Sequence, residues 1–204
     1  MQDLQWLGPR VMRHQAVVEA AMQDSPVLPP RLGTLFSSLP MLERFITIHH
    51  DTIASFLAAT EVKEECALKG LLDWAKANDW LVSRLAEGDE GSSGSGTRYL
   101  RERRMRAAAA REINHWVAQL VGPVVDELRQ CASDWCQRDV VAQAPAGEPQ
   151  PVLNLAFLVS RDCAAQFRRC VERASRQHGE SGLELTLSGP WPPYSFCPAL
   201  EMAP

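Results

Sequence analysis

The chain has 204 residues, of which 46% are hydrophobic and 23% are charged, and its formal net charge is −4. This composition is close to that of an average globular protein and supports one large domain or two small ones. The mild acidic balance argues against nucleic acid as the main ligand, because nucleic-acid-binding domains usually carry a basic excess. No run of about 20 apolar residues is present to span a bilayer, and no signal peptide is recognisable. We therefore expect a soluble cytoplasmic protein with no membrane partner.

The first part of the chain alternates between helical periods and breaks. Apolar residues recur every three or four positions over residues 3–22 and again over 39–58, which predicts two helices. Several prolines between these segments exclude a helix there. A weak alternation over 61–73 predicts a strand, although its Glu and Lys residues are poor strand formers. Residues 75–86 favour a further short helix.

Residues 87–96 read EGDEGSSGSG and lack apolar side chains whose burial would compensate for the entropy lost on ordering. Such a composition is typical of a flexible connection. We therefore predict an N-terminal α/β domain over 1–90, a flexible Gly/Ser linker over 91–96 and a C-terminal α+β domain over 97–204.

The C-terminal part contains three strong patterns. Residues 97–138 are rich in Arg and Ala and carry an apolar stripe, which predicts a long helix that kinks or breaks at Gly122 and Pro123. The apolar run over 152–159 predicts a central strand, and the strict alternation over 183–188 predicts a half-buried one. A helical pattern lies between these two strands, and such a strand–helix–strand unit forms the core of many small α+β sandwiches.

The sequence contains no recognisable catalytic or cofactor-binding motif: no nucleophile elbow, phosphate-binding loop or dinucleotide fingerprint is present. Its six cysteines form no C-x-x-C pair and are expected to be small buried residues, with a Cys131–Cys136 metal or redox site as the alternative. Neighbouring helical side chains diverge by about 100°, so His49 and His50 are not expected to share a metal ion. We expect no enzyme activity, no cofactor and no metal.

A basic cluster lies in the first turns of the predicted long helix. A solvated helix face with local ion pairs and a protein-docking surface both fit it, because Arg is enriched at interfaces. A nucleic-acid-binding surface would need aromatic residues interleaved with the basic ones. The cluster consists of Arg98, Arg101, Arg103, Arg104, Arg106 and Arg111.

Residues 189–196, here called the C-terminal arm, combine three prolines with three aromatic residues. The prolines impose a stiff, extended course on the backbone. The aromatic residues Trp191, Tyr194 and Phe196 either cover the final sheet or form an exposed hot spot for a partner, and these two interpretations are compatible.

The segment LTLSGPWPPYSF at 185–196 closely resembles the C-terminal signature of the gas vesicle protein GvpF/GvpL family. Further blocks are similar in the same order: 14–18 together with 27–36, then 98–100, then 157–159. The resemblance implies an α+β fold built from two small ferredoxin-like-related sandwiches plus long helices. Family members usually begin with a further strand-bearing segment, so the N-terminal sandwich is expected to be truncated in this chain.

The resemblance also implies a role in gas vesicle formation without enzymatic activity. Family members are accessory or minor vesicle components that contact the small hydrophobic shell protein GvpA and other accessory Gvp proteins, which implies a gas vesicle and cytoplasmic location. Our hypothesis is that this chain binds a GvpA-type subunit, whose apolar face would otherwise aggregate. A scaffold for accessory proteins without shell contact and a nucleic-acid-binding regulator using the arginine helix are the alternatives. The predicted partner-binding residues are Trp191, Tyr194, Phe196, Arg98, Arg101, Arg104 and Arg111.

Overall fold

The computed structural model describes residues 4–87, 95–140, 145 and 147–201. Its helices are α1 (Leu4–Asp24), α2 (Leu39–Ile48), α3 (His50–Thr60), α4 (Trp74–Glu87), α5 (Ser95–Gln130) and α6 (Ala164–His178). Its strands are β1 (Lys63–Leu72), β2 (Ala132–Gln137), β3 (Gln150–Ser160) and β4 (Leu183–Trp191). Two short 3₁₀ turns follow α6 and β4, at Gly179–Ser181 and Tyr194–Phe196.

The four strands form one antiparallel sheet in the order β2-β3-β1-β4. Helices α4 and α5 lie between β1 and β2 in the chain, and α6 lies between β3 and β4. This β-α-β-β-α-β succession with β1 and β3 at the centre is the ferredoxin-like arrangement. The predicted mixed α and β fold class is thereby confirmed.

The described strands belong to one sandwich, although the sequence suggested two. Strand β1 precedes the predicted linker at 91–96, yet it pairs with both β3 and β4 from the C-terminal part. Residues 65–68 of β1 are all buried, as expected of a strand at the centre of a sheet. The division into 1–90, 91–96 and 97–204 stays a prediction, because residues 88–94 lie outside the described part of the chain.

One face of the sheet packs against α5 and α6 and forms the main core. The alternation of β1 directs Cys66, Leu68 and Leu72 to this face. Phe157 of β3 and Phe167 of α6 are both fully buried there, with ring centroids 5.2 Å apart in an edge-to-face contact. Burying a side chain of this size stabilises the fold by about 1.5–3 kcal/mol, so this layer fixes the position of α6 over the sheet.

A glycine in β1 allows close packing between the central strands. A Cβ atom added at Gly70 would lie 2.9 Å from Cβ of Leu153 on β3, a distance that real Cβ atoms essentially never show. The register of the β1–β3 pair shifts between Gly70 and Leu71, which marks a local irregularity at the same place. The position therefore has no room for a larger residue.

Two predicted helix boundaries are wrong. The helix expected over 39–58 is divided at His49, whose backbone (φ −101°, ψ 12°) leaves the helical region between α2 and α3. The helix expected over 97–138 passes through Pro123 without ending and stops at Gln130. Residues 132–137 are the edge strand β2, because pairing with β3 overrides their local helical pattern.

Candidate protein-binding surface

The C-terminal arm lies across the sheet face opposite α5 and α6. Glu65 and Ala67 alternate with the core residues of β1 and therefore point to this outer face. The arm begins within β4, and Pro192 and Pro193 are both buried. A Cβ atom at Gly189, which has φ +126°, would lie 2.8 Å from the carbonyl oxygen of Glu65, so only glycine fits where the arm crosses β1.

The buried carboxylate of Glu65 anchors the arm. The backbone N–H of Ser195 donates to its Oε2 at 2.8 Å, and the Ser195 hydroxyl donates to its Oε1 at 2.9 Å. Arg138 forms a 2.8 Å ion pair with the same carboxylate and donates from Nε to the Ser195 hydroxyl oxygen at 2.9 Å. A fully buried carboxylate is tolerated only when it is paired and hydrogen-bonded. Arg138 provides the ion pair to Glu65, and Ser195 of the arm provides two hydrogen bonds.

The three aromatic residues predicted to bind a partner are all half-buried. The Trp191 indole donates from Nε1 to the Ser188 hydroxyl oxygen at 3.1 Å. The Tyr194 ring lies 6.5 Å from the His14 ring of α1, and burial raises the pKa of the Tyr194 phenol, with a smaller contribution from the charge of Glu19. Each ring therefore contacts the fold on one side and keeps part of its surface accessible to solvent.

The N-terminal helices are arranged around the arm and the residues that follow it. His14 Nε2 hydrogen-bonds the Pro30 carbonyl at 3.1 Å, which ties α1 to the segment after it. The Cys197 thiol points to the Pro29 carbonyl at 3.7 Å. His49 Nε2 hydrogen-bonds the Glu201 carbonyl at 3.0 Å, so the α2–α3 junction is also held at the C-terminal end of the chain.

Large apolar side chains are exposed on these N-terminal elements, a feature that sequence reasoning missed. Leu35 is 84% exposed, Met12 66% and Val17 63%. Trp6 is also exposed and carries the Arg10 guanidinium 3.8 Å above its ring, a pairing of the two residue types most enriched at binding hot spots. We call this set the N-terminal apolar surface, and its members are Trp6, Leu7, Met12, Val17, Leu32, Leu35, Leu39, Met41, Ile46 and Ile48.

The signal for this surface is present in the sequence but is ambiguous. Apolar residues at helical spacing over 3–22 and 39–58 predict an amphipathic helix whether its apolar face is covered by the same chain or left open. Only Val18 of α1 is buried among the hydrophobic residues described in these two helices. Other residues of the two stripes, including Val11, Phe45 and Phe56, are half-buried. The apolar residues Met12, Met41 and Ile48 are exposed and lie outside that spacing, so periodicity does not reveal them.

The predicted basic rim falls mostly outside what the structure describes. Arg104 of α5 is exposed. The side chains of Arg98, Arg101 and Arg111 are not among the described ones, so their part in partner binding stays a prediction.

Other candidate chemistry does not converge in the described residues. His50 Nδ1 lies 3.0 Å from the Asp51 carboxylate on the exposed side of α3, whereas His49 turns to the C-terminal end. No group of three metal-ligating side chains occurs in the described part of the chain.

All six cysteines are free, and burial raises the pKa of the Cys66 thiol to about 12. No described helix has the length and apolar character to cross a bilayer.

A family model and two curated relatives that match this chain all point to the same kind of protein. A family model described as gas vesicle synthesis protein GvpL/GvpF matches residues 2–198. Gas vesicle protein L of a Streptomyces species is 30% identical over 203 residues, which are 98% of this chain and 73% of that protein. Gas vesicle protein L1 of Halobacterium salinarum is 24% identical over 211 residues, covering 97% of this chain and 73% of that protein.

Solved structures agree with this relationship at the level of the fold. The crystal structure of gas vesicle protein GvpF from Microcystis aeruginosa aligns with a TM-score of 0.67 over 98% of this chain and 80% of that chain, at 16% identity. The GvpF structure from an Anabaena species aligns with a TM-score of 0.64 at 15% identity.

Proposed function

Because the chain belongs to the GvpL/GvpF family of gas vesicle synthesis proteins, we propose that it binds a GvpA-type shell subunit through the N-terminal apolar surface. Family membership itself gives the chain a role in gas vesicle formation and an association with other Gvp proteins. The identity of the partner and the surface that contacts it are the proposal.

The exposure of the N-terminal apolar surface is the observation that carries this proposal. Ten of the fourteen large apolar side chains that are exposed in the described residues lie between residues 6 and 48. Contiguous apolar patches on soluble proteins mark interaction sites, and this concentration supports one here. Covering a leucine or methionine as exposed as Leu35 and Met12 contributes about 1.5–3 kcal/mol of transfer free energy. A shell subunit with an apolar face offers matching chemistry, and masking that face before assembly would prevent its aggregation.

The C-terminal arm supports this surface in two ways. Its hydrogen bonds to Glu65 fix the position of Ser195 on the sheet. The residues that follow the arm are thereby held near the α2–α3 junction, where His49 contacts Glu201. The Tyr194 ring lies beside His14 of α1. The accessible parts of Trp191, Tyr194 and Phe196 are proposed to extend the apolar surface there. The arginines at 98, 101, 104 and 111 are proposed to form a basic rim that steers the encounter with the partner.

The proposal is tested with purified protein and a GvpA-type subunit from the same gene cluster. The double variant Met12→Lys/Leu35→Lys places two charges on the apolar surface and should weaken binding at least about tenfold, as is typical of hot-spot changes. Val62→Lys is the matched control, because Val62 is 59% exposed and lies outside the surface. Far-UV circular dichroism establishes that each variant folds.

Unchanged binding by the folded double variant would contradict the proposed surface. If the double variant loses binding to an accessory Gvp protein while its affinity for the shell subunit stays the same, the chain acts as a scaffold and the shell proposal is wrong.

A further inference from the structure

Strand β4 leaves one edge of the sheet open. It is the last strand in the order β2-β3-β1-β4, so β1 pairs with it on one side only. Alternate residues of an edge strand direct their N–H and C=O groups away from the sheet. Within the described residues, no other segment forms backbone hydrogen bonds with 183–188. The open edge ends at Pro190, which has no N–H to donate.

A groove of about 410 Å³ runs between this edge and α6. Leu185 and Leu187 of β4 and Val171 of α6 supply its apolar lining. Leu187 remains half-buried, so an added side chain gains apolar contact there. An open backbone edge beside an apolar groove is the combination that binds an extended peptide by strand addition.

The helix that borders the groove is basic. Helix α6 contains four arginines and one glutamate, in a chain whose net charge is −4. Arg168 lines one end of the groove, where it lies 3.7 Å from Glu64 and 3.5 Å from the Gly189 carbonyl. Arg176 lines the other end and forms no ion pair within the described residues. Glu172 lies between them.

We propose that the groove between α6 and β4 binds an extended segment of a partner protein that carries two acidic residues four positions apart. Arg168 and Arg176 are eight positions apart on the helix, which corresponds to about 12 Å along its axis. An extended strand covers that length in about four residues, and residues four apart lie on the same face of a strand. The residue midway between the two acids faces Leu185, Leu187 and Glu172 and is therefore apolar and uncharged. This site is separate from the N-terminal apolar surface.

The test uses a seven-residue peptide with glutamate at its second and sixth positions, valine at its fourth and threonine elsewhere. It is titrated into the full-length ¹⁵N-labelled protein, and the amide signals are followed. The expected result is saturable shifts at 183–189 that weaken as salt is added, because exposed ion pairs are screened. A peptide with lysine in place of both glutamates should leave these signals unchanged.

Two variants sharpen the test. Arg176→Glu should weaken binding of the acidic peptide about three- to tenfold. Arg169→Glu, on the same helix outside the groove lining, is the matched control and should leave the affinity nearly unchanged. The proposal is overturned if the acidic peptide shifts no β4 amide, if both peptides bind equally, or if the two variants have the same effect. Because shell-subunit binding by the Met12→Lys/Leu35→Lys variant is measured separately, this failure is distinguishable from failure of the proposed function.

Discussion

Ser195 donates two hydrogen bonds to the carboxylate of Glu65, one from its backbone N–H at 2.8 Å and one from its hydroxyl at 2.9 Å. The two residues are 130 positions apart in the chain. Glu65 has no exposed surface, and Arg138 completes its set of donors. The arm is therefore an integral part of the sheet's outer face, and its attachment depends on one buried charge.

Removing that charge should destabilise the whole fold. Glu65→Gln leaves Arg138 without its carboxylate partner. The glutamine amide has only one oxygen, so it cannot accept hydrogen bonds at both of the positions where Glu65 accepts them. The Arg138 side chain that remains is 34% exposed and partly hydrated, so the cost is that of weakened hydrogen bonds to a charged group, about 1.5–3 kcal/mol. The free energy of unfolding, measured by urea denaturation, should fall by that amount.

Glu64→Gln is the matched control for this change. Glu64 is adjacent in β1, and its carboxylate lies 3.7 Å from a half-exposed Arg168, so its loss should cost less than about 1 kcal/mol. Equal destabilisation by the two variants would show that Glu65 is not a special anchor.

Ser195→Ala isolates the hydroxyl from the backbone contact. The variant keeps the N–H bond to Glu65 and loses one bond given to the carboxylate and one accepted from Arg138. Hydrogen bonds to charged groups contribute about 1.5–3 kcal/mol, so the free energy of unfolding should fall within that range. In a double-mutant cycle with Glu65→Gln, the two losses should be non-additive because they share one network. Strict additivity would contradict the network.

The space around two glycines predicts opposite tolerance to alanine. Gly70→Ala forces a Cβ atom to within 2.9 Å of Leu153 Cβ and should destabilise the protein by about 1–3 kcal/mol. Gly179→Ala meets nothing within 4 Å at a helical φ of −59° and should change stability by no more than about 0.5 kcal/mol. Thermal or urea unfolding of both variants checks the pair, and similar values would refute the close approach of β1 and β3.

The buried thiols should be chemically protected. Burial raises the pKa of Cys66 to about 12 and that of Cys197 to about 11, and nearby Glu64 and Glu65 add to these shifts respectively. Because the thiolate is the reactive form, alkylation of Cys66 at pH 8 should be at least about tenfold slower in the native protein than in urea. Folding raises both thiol pKa values, so the folded state favours the protonated thiols. Their contribution to the free energy of unfolding is therefore fully present below about pH 8.5 and is lost as the pH rises toward about 11–12. Mass spectrometry of the labelled peptides measures the rates, and equal native and unfolded rates at Cys66 would contradict its burial.

Strong local periodicity explains which elements were predictable. The alternation of β4 and the apolar run of β3 appear in the structure as predicted, because strands at these positions have one or two buried faces. The sequence predicts a helix where β2 lies, since six residues that continue a helical stretch carry little strand signal of their own. Its pairing with β3 is a long-range effect that the local sequence does not encode.

The candidate surface also depends on long-range contacts that the local sequence does not encode. The arm was recognised from its prolines and aromatic residues, but Glu65 only weakened the strand prediction, although it is the residue that holds the arm. A buried glutamate becomes intelligible once Arg138 and Ser195 are seen beside it. Likewise, whether the apolar stripes of α1 and α2 are covered depends on the tertiary arrangement.

Hydrogen exchange of the full-length protein, with and without a GvpA-type shell subunit, tests the central claim most directly. If the N-terminal apolar surface binds the subunit, backbone amides of α1 and α2 should exchange more slowly in the complex, while those of β1 and β3 stay unchanged because they are already protected. Protection absent from residues 4–48, or confined to β4 and α6, would contradict the claim and assign shell binding to another surface.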